Sequence, residues 1–395
     1  MTKQVTEGIF WVGCVDWGVR DFHGYQTKRG STYNAYLVKG EKIAVIDTVK
    51  APFAADYISN VLELVPADQV SYVVCNHAEP DHASSLPMAM TVFRNATLLC
   101  NAKCKEELGL YFDISGWKIQ VVSDGETLAL GGGKTLQFFN TPMVHWPESM
   151  VTYVQEDALL FSMDAFGQHY ACSERFDEDA NMAEVMQEAK TYYANIVALY
   201  GAPVKAALTR LGKLKLDIVC PSHGIIWRKD FSRILTAYLD WMLCKPTKKV
   251  LVIYCTMWHS TEMMAKAIAT GAEELGVDVK LMNLAAFHDT RVVDEALDCA
   301  AIAVGTPTLN IGLMPRMAAA LTYLRGLKVV NGKASLAFGS YGWASKGAEE
   351  AAAYLEQMHT VPVAPTLTCR FKPTGEVLAS CREAGRKLAE VALKA

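Results

Sequence analysis

The stretch His77-Ala78-Glu79-Pro80-Asp81-His82 places two imidazoles and two carboxylates within six residues. It follows an apolar run over residues 70–75 that reads as a strand, and a strand end holds the side chains just beyond it in fixed directions. Imidazole suits zinc, iron and copper, whereas carboxylates favour harder metals. Three further candidates lie downstream: His145 beyond the run 138–142, Asp164 at the end of 159–163, and His223 just past 218–221. All follow strand-like runs, so they can converge at one edge of a β-sandwich. His77, Glu79 and His145 suit one metal, Asp81, His82 and His223 a second, and Asp164 can bridge them. Each metal then has two imidazoles, one terminal carboxylate and an open position. Two metals about 3.5–4 Å apart can both touch one small bound molecule. Taken alone, His145 or Asp164 would read as an ordinary hydrogen-bonded residue; the complete set makes the metal reading prevail.

A second constellation lies near the C-terminus. The strand expected over 250–255 runs into Thr256-Met257-Trp258-His259-Ser260-Thr261, and a helix begins at residue 261 or 262. Hydroxyls and free backbone N–H groups at a helix N-terminus cradle a phosphate. The segment has neither the lysine of an ATP loop nor G-x-G-x-x-G, so a monophosphate such as that of FMN fits better than ATP or a dinucleotide. Two more loops follow strand-like runs: Thr306-Pro307-Thr308-Leu309-Asn310 and Ser340-Tyr341-Gly342-Trp343. Ligands bind at the carboxyl ends of strands in doubly wound sheets. One loop would hold the phosphate and two would wall a flat ring, with Trp258, Tyr341 and Trp343 packing around it.

The elements that must position these residues fall into two halves. At 395 residues the chain exceeds one ordinary core. A proline with basic neighbours, around residues 243–249, marks a boundary, giving domains over 1–246 and 247–395. The first half reads as a hairpin across residues 39–42, with strands over 71–75, 97–100, 119–122, 150–154, 158–161 and 218–220. Helices are expected over 52–64, 181–199 and 203–211. Beyond the boundary, strands over 250–255, 277–281, 300–305 and 335–339 alternate with helices over 261–275, 315–324 and 347–357. Such alternation means βαβ units and a parallel sheet covered on both faces.

Half the residues are hydrophobic and the net charge is −4, which gives no footprint for nucleic acid or an anionic membrane. The N-terminal residues lack the apolar core of a signal peptide, and no apolar run is long enough to span a bilayer. Eleven cysteines without a C-x-x-C pair suggest free thiols in a reducing cytoplasm, and argue against a fused rubredoxin or zinc ribbon.

His-x-His-x-Asp-His would be the zinc-hydrolase pattern of the metallo-β-lactamase superfamily; Glu79 stands at the middle histidine and moves the site toward an oxygen-rich diiron centre. In this light the chain resembles the flavodiiron proteins, or A-type flavoproteins, and among them the rubredoxin:oxygen oxidoreductases. The resemblance is carried by residues 20–25, the 77–82 motif, His145-Trp146-Pro147-Glu148-Ser149-Met150, residues 173–176 and 192–196, and Cys220-Pro221-Ser222-His223-Gly224. Trp258-His259-Ser260-Thr261 is likewise a form found in that family, although glycine is commoner than histidine at position 259 of the simplest flavodoxin pattern.

The resemblance implies a metallo-β-lactamase-like αββα domain with a non-haem diiron centre, followed by a flavodoxin-like FMN domain. It implies roles for His23 and Tyr193 beside the substrate pocket, as proton donors or hydrogen-bond partners. It implies electron flow from a donor through FMN to the diiron site, with reduction of O2 to water or of NO to N2O. It also implies a cytoplasmic head-to-tail homodimer, or a dimer of such dimers. The chain ends at Ala395 after a Lys/Arg-bearing helix, so the expected donor is a separate protein, rubredoxin or similar, or a reduced deazaflavin. The rival expectation is a zinc hydrolase fused to a flavin domain.

Overall fold

The computed structural model describes residues 2–395. The chain forms two compact units: residues up to Tyr192 with Tyr200–Leu239, and Tyr193–Leu199 with Asp240–Ala395.

In the N-terminal unit, alternation along the strands decides the layering. Leu37, Val45, Val73 and Leu98 point one way, into a core shared with Tyr57, Val61, Phe93, Cys104 and Leu108 from the helical layer. Their neighbours Val38, Ala44, Ile46, Val74 and Leu99 point the other way and meet Leu136, Phe138, Met150, Val154 and Phe161 of a second sheet. Strand side chains alternate faces, so a sheet buried on both sides must be apolar at successive positions. The first sheet has seven strands, in the spatial order Lys3–Thr6, Ile9–Trp11, Tyr36–Lys39, Ile43–Ile46, Val70–Val74, Thr97–Cys100 and Ile119–Val121. The second has five, Thr127–Gly131, Lys134–Asn140, Met150–Val154, Leu159–Met163 and Ile218–Pro221. The expected hairpin is present, Tyr36 pairing with Ile46 and Lys39 with Ile43. With the helices, the two facing sheets make the αββα sandwich.

The helix expected over 181–199 is interrupted. It runs over Met182–Tyr192, widens into a π-helical turn over Tyr193–Val197, and closes with a 3-10 turn over Ala198–Tyr200. The turn is held within the C-terminal unit: Asn195 Nδ2 lies 3.4 Å from Asp294 Oδ1, and Tyr323 donates to Asn195 Oδ1 at 2.9 Å. Tertiary hydrogen bonds override the local helical preference, and propensity is only a weak prior.

The C-terminal sheet is parallel, with the order Asp278–Asn283, Lys249–Tyr254, Ala301–Gly305, Ala334–Tyr341; Val361–Pro362 and Leu367–Arg370 both pair with the last of these. The chain order reverses between Lys249–Tyr254 and Ala301–Gly305, which creates a crevice at their carboxyl ends. Helices Ser260–Glu273 and Gly375–Ala392 approach closely on one face. A Cβ on Gly271 would lie 1.9 Å from the Arg382 carbonyl oxygen, and one on Gly385 would lie 2.0 Å from that of Ile268. Besides Tyr193–Leu199, the unit takes in the chain from Asp240 onward. The backbone N–H of Thr247 bonds Asp298 at 2.8 Å, so the Pro246 stretch lies inside this unit.

Candidate metal centre and flavin site

Each of the seven predicted metal ligands follows a strand of the N-terminal unit. His77 lies just past Val70–Val74, His145 past Lys134–Asn140, Asp164 immediately after Leu159–Met163, and His223 past Ile218–Pro221. Pro80 opens the one-turn helix Pro80–Ala83 and keeps Glu79 extended, with ψ 137°. Glu79 and the pair Asp81–His82 therefore leave the chain in different directions.

The side chains form the two expected sets. Ligand atoms of His77, Glu79, His145 and Asp164 lie within 4.8 Å of one another, as do those of Asp81, His82 and His223. In the first set, His77 and His145 each place Nε2 3.1 Å from Glu79 Oε2. Asp164 divides between the sets. Its Oδ2 lies 3.0 Å from His145 Nε2 and 3.6 Å from His77 Nε2, while its Oδ1 lies 3.1 Å from His82 Nε2 and 3.5 Å from His223 Nε2. In the second set, Asp81 Oδ2 lies 3.1 Å from His223 Nε2 and 3.3 Å from His82 Nε2.

These residues fit a pair of metal ions. Both oxygens of Asp81, both ring nitrogens of His82, and Asp164 Oδ1 are buried without a hydrogen-bond partner. Buried polar atoms ordinarily have partners. His82 Nε2 and Asp164 Oδ1 are close enough to bond yet are not aligned to do so, which is the arrangement of donors aimed at a common third atom. Four imidazoles with three carboxylates, every carboxylate beyond the reach of Lys or Arg, is a donor set for two iron ions.

The surrounding charges favour ionised carboxylates. Burial opposes ionisation of Asp164, but the charge of His82, a hydrogen bond from His145 and the charge of His77 hold its carboxyl well below the usual range. Glu79 is held below it in the same way, by His145, His23 and His77 against burial.

Sequence reasoning missed the groups behind the ligands. Glu148, fully buried, accepts from His77 Nδ1 at 2.5 Å and from the Ala78 N–H at 2.9 Å. His223 Nδ1 donates to the Thr32 carbonyl at 2.6 Å. Such partners fix the tautomer and the ring direction of a ligating histidine. Buried His169, bonded through Nδ1 to Ser31 Oγ at 2.8 Å, packs its ring 4.7 Å from that of His223. Glu148 stands three residues after His145, which was the available signal; His169 and Thr32 offered none.

The two other candidates part company. His23, at φ 54° in the tip of the hairpin Asp21–Phe22/Tyr25–Gln26, bonds Glu79 Oε1 through Nε2 at 2.6 Å, with 62% of its side chain exposed. The hydrogen bond to Glu79 raises its pKa above the ordinary imidazole value. Tyr193 falls in the stretch Tyr193–Leu199 grouped with the C-terminal unit, and its buried ring packs 5.4 Å from Trp241. Two buried tyrosines of the N-terminal unit, Tyr33 and Tyr192, each lie 5.9 Å from the ring of His223.

In the C-terminal unit the three predicted loops border one cavity of about 800 Å³, the size of a cofactor site. Met257, Trp258, Ser260, Pro307, Thr308, Leu309, Asn310, Ser340, Tyr341, Gly342 and Trp343 line it. Trp258 and Trp343, each 87% exposed, stand as walls for a flat apolar ring. Four predicted contacts do not line the cavity. Thr261 is buried and shares a 2.9 Å hydrogen bond with Ser340 Oγ, and Thr306 Oγ1 donates to the Pro307 carbonyl. His259, at φ 64°, takes the left-handed turn before helix Ser260–Glu273, which accounts for glycine being common there. Thr256 also lies off the lining, but its Oγ1 is shielded from solvent without a partner, as a phosphate-binding hydroxyl would be. Sequence reading missed Met263, Ile311, Ala344, Phe371 and Lys372, the last two because the short strand Leu367–Arg370 that delivers them carries little periodicity. Ile311 sits at φ 63°, a strained conformation for a β-branched residue of the kind that gathers in ligand loops.

Comparison with known proteins finds matches for both parts of the chain. Residues 32–224 match the ODP family beta lactamase pattern, and residues 252–385 match Flavodoxin. A nitric oxide reductase of Moorella thermoacetica is 41% identical over 98% of this chain and 97% of its own. The flavodiiron protein of Giardia intestinalis superposes with TM-score 0.96 at 37% identity, covering 100% of this chain and 97% of the other. Rubredoxin oxygen:oxidoreductase of Desulfovibrio gigas gives TM-score 0.96 at 34% identity, over 100% and 99%. The cofactors are FMN and a non-haem diiron centre, and the chain belongs to the flavodiiron proteins.

Proposed function

We propose that this protein is a reductase of small oxidants, taking electrons from an external donor through FMN to the diiron site and reducing O2 to water, NO to N2O, or both. The observation that carries the reading is Asp164, whose two oxygens face the two halves of the ligand set. When bound, FMN would relay electrons one or two at a time and the diiron pair would supply two more to the oxidant. Water formation from O2 consumes four electrons and four protons; coupling of two NO molecules to N2O and water consumes two of each.

The protein's own residues position, tune and supply hydrogen bonds. Glu79 and Asp81 each give one half of the site its terminal carboxylate, and Asp164 ties the halves together. Glu148 and the Thr32 carbonyl hold His77 and His223 with Nε2 directed inward. His23, one of the two donors implied by family resemblance, has one edge on Glu79 and the other open to water. We therefore assign to it the hydrogen-bond and proton-donor role. Trp258 and Trp343 hold the flavin ring, and Thr256 with the first turn of helix Ser260–Glu273 holds its phosphate.

Rubredoxin or a similar small redox protein is the proposed donor, supported by the name of the Desulfovibrio gigas relative. A head-to-tail homodimer in the cytoplasm, pairing the flavin of one subunit with the diiron site of the other, follows from the resemblance. All eleven cysteines are free thiols, which suits a reducing compartment. Among the described residues no helix is long and apolar enough to cross a membrane.

Metal analysis of the protein as isolated tests the reading. Two irons per chain are expected; two zincs together with esterase or nuclease activity would favour the hydrolase.

A further inference from the structure

A small cavity in the N-terminal unit lies against helix Gly201–Leu211, which contributes Val204, Ala207, Leu208 and Leu211 to its wall. It measures about 30 Å³, above the ~10–15 Å³ that one water-sized molecule occupies. Its wall is built from apolar side chains, among them Val151, Leu160, Leu208 and Leu211. Two other wall residues adjoin the ligands in the chain: Val144 precedes His145, and Ala165 follows Asp164.

The polar atoms along this wall are nearly all engaged. Ser162 Oγ donates to the Ala165 carbonyl at 2.8 Å, and the Tyr238 hydroxyl accepts from the Phe166 N–H at 2.7 Å. Thr141 Oγ1 is the exception, buried with no hydrogen-bond partner. A resident water needs two to four polar partners, and cavities lined by apolar groups stay dry and take up apolar guests such as xenon. A diatomic molecule needs less: an apolar wall and one weak polar contact.

We propose that this cavity is a binding site for a diatomic gas, holding O2 or NO next to the His145–Asp164 side of the metal centre. The proposal rests on the reductase reading for the identity of the gas. It supplies that reaction with a local store of a sparingly soluble substrate, and for NO with a place for a second molecule beside the first. Ala207 and Leu208 are half-buried where helix Gly201–Leu211 closes the cavity, so they are the positions to fill.

Crystals of the holoenzyme pressurised with xenon test the site directly. One xenon is expected against Val151 and Leu208, and it should be lost in Ala207→Phe and Leu208→Trp. In solution the two variants should keep iron and FMN and a normal kcat at saturating gas, while KM for O2 or NO rises about threefold or more. An absence of xenon in the unaltered protein would overturn the proposal, as would an unchanged KM in variants shown to be filled. Should the unaltered protein turn over neither gas yet bind xenon here, the reductase reading fails and the gas site stands.

Discussion

His77 Nδ1 donates to Glu148 Oε1 at 2.5 Å, and neither side chain reaches solvent. The contact makes Nε2 the ligating nitrogen of His77 and aims it at Glu79 and Asp164. Glu148→Gln should keep the fold and the flavin but weaken iron binding about 10–100-fold, the usual effect of losing such a partner. Iron affinity measured by competition with a chelator checks this, and unchanged affinity would remove Glu148 from the account.

Asp164 serves both metal positions, so Asp164→Ala should empty the whole site, whereas Glu79→Ala should chiefly affect one position. Both variants should retain FMN. Metal content against flavin absorbance per chain reads the result; full iron occupancy in Asp164→Ala would refute the bridge.

The metal-free protein should respond to pH in a definite direction. Burial works against the charged form of His82, but Asp81 and Asp164 raise its pKa from 6.5 to about 9. His77 is also raised, by Glu148 and Glu79 against burial. A folded pKa above the unfolded one stabilises the apo-protein fully below about pH 6.5, and that contribution fades as pH rises through about 9. Metal binding needs these imidazoles deprotonated, so it runs the opposite way and strengthens with rising pH over the same window. Anaerobic addition of ferrous iron at pH 7 should therefore release roughly two protons or more per chain. Uptake without proton release would show that the imidazoles are already neutral.

At the flavin site, Ser260 and Thr261 play different parts. Ser260 borders the cavity, while Thr261 holds Ser340, itself a lining residue. Replacing both by alanine should weaken FMN binding by about 1.5–3 kcal/mol, roughly tenfold to a hundredfold, through loss of a hydrogen bond to a charged phosphate. Iron content should not change. Unaltered FMN affinity would place the phosphate elsewhere.

Gly385→Ala tests the packing behind the flavin sheet. Its added methyl would meet the Ile268 carbonyl oxygen at 2.0 Å, so helices Ser260–Glu273 and Gly375–Ala392 must move apart. Overpacking of this kind costs about 1–3 kcal/mol. Thermal unfolding should show a lower midpoint, and an unchanged one would mean that the helices yield freely.

The sequence was most legible where chemistry and strand ends coincide. His77 to His82, His145, Asp164 and His223 could be read because each stands just beyond an apolar run that must be a strand. The parallel sheet was legible from the regular alternation of strand-like and helical runs, whereas the αββα layering was expected from the family resemblance. Glu148, His169 and Thr32 were not, because their roles depend on contacts across 71, 54 and 191 positions of chain. The turn at Tyr193–Val197 escaped because hydrogen bonds of Asn195 to Asp294 and Tyr323, remote in sequence, decide it.

The most direct test is anaerobic turnover of protein with quantified iron and FMN, using reduced rubredoxin as donor and O2 or NO as acceptor in parallel. The account predicts donor oxidation coupled to O2 consumption without released peroxide, or to NO consumption with formation of N2O. No turnover of either gas by protein that carries two zincs would contradict it.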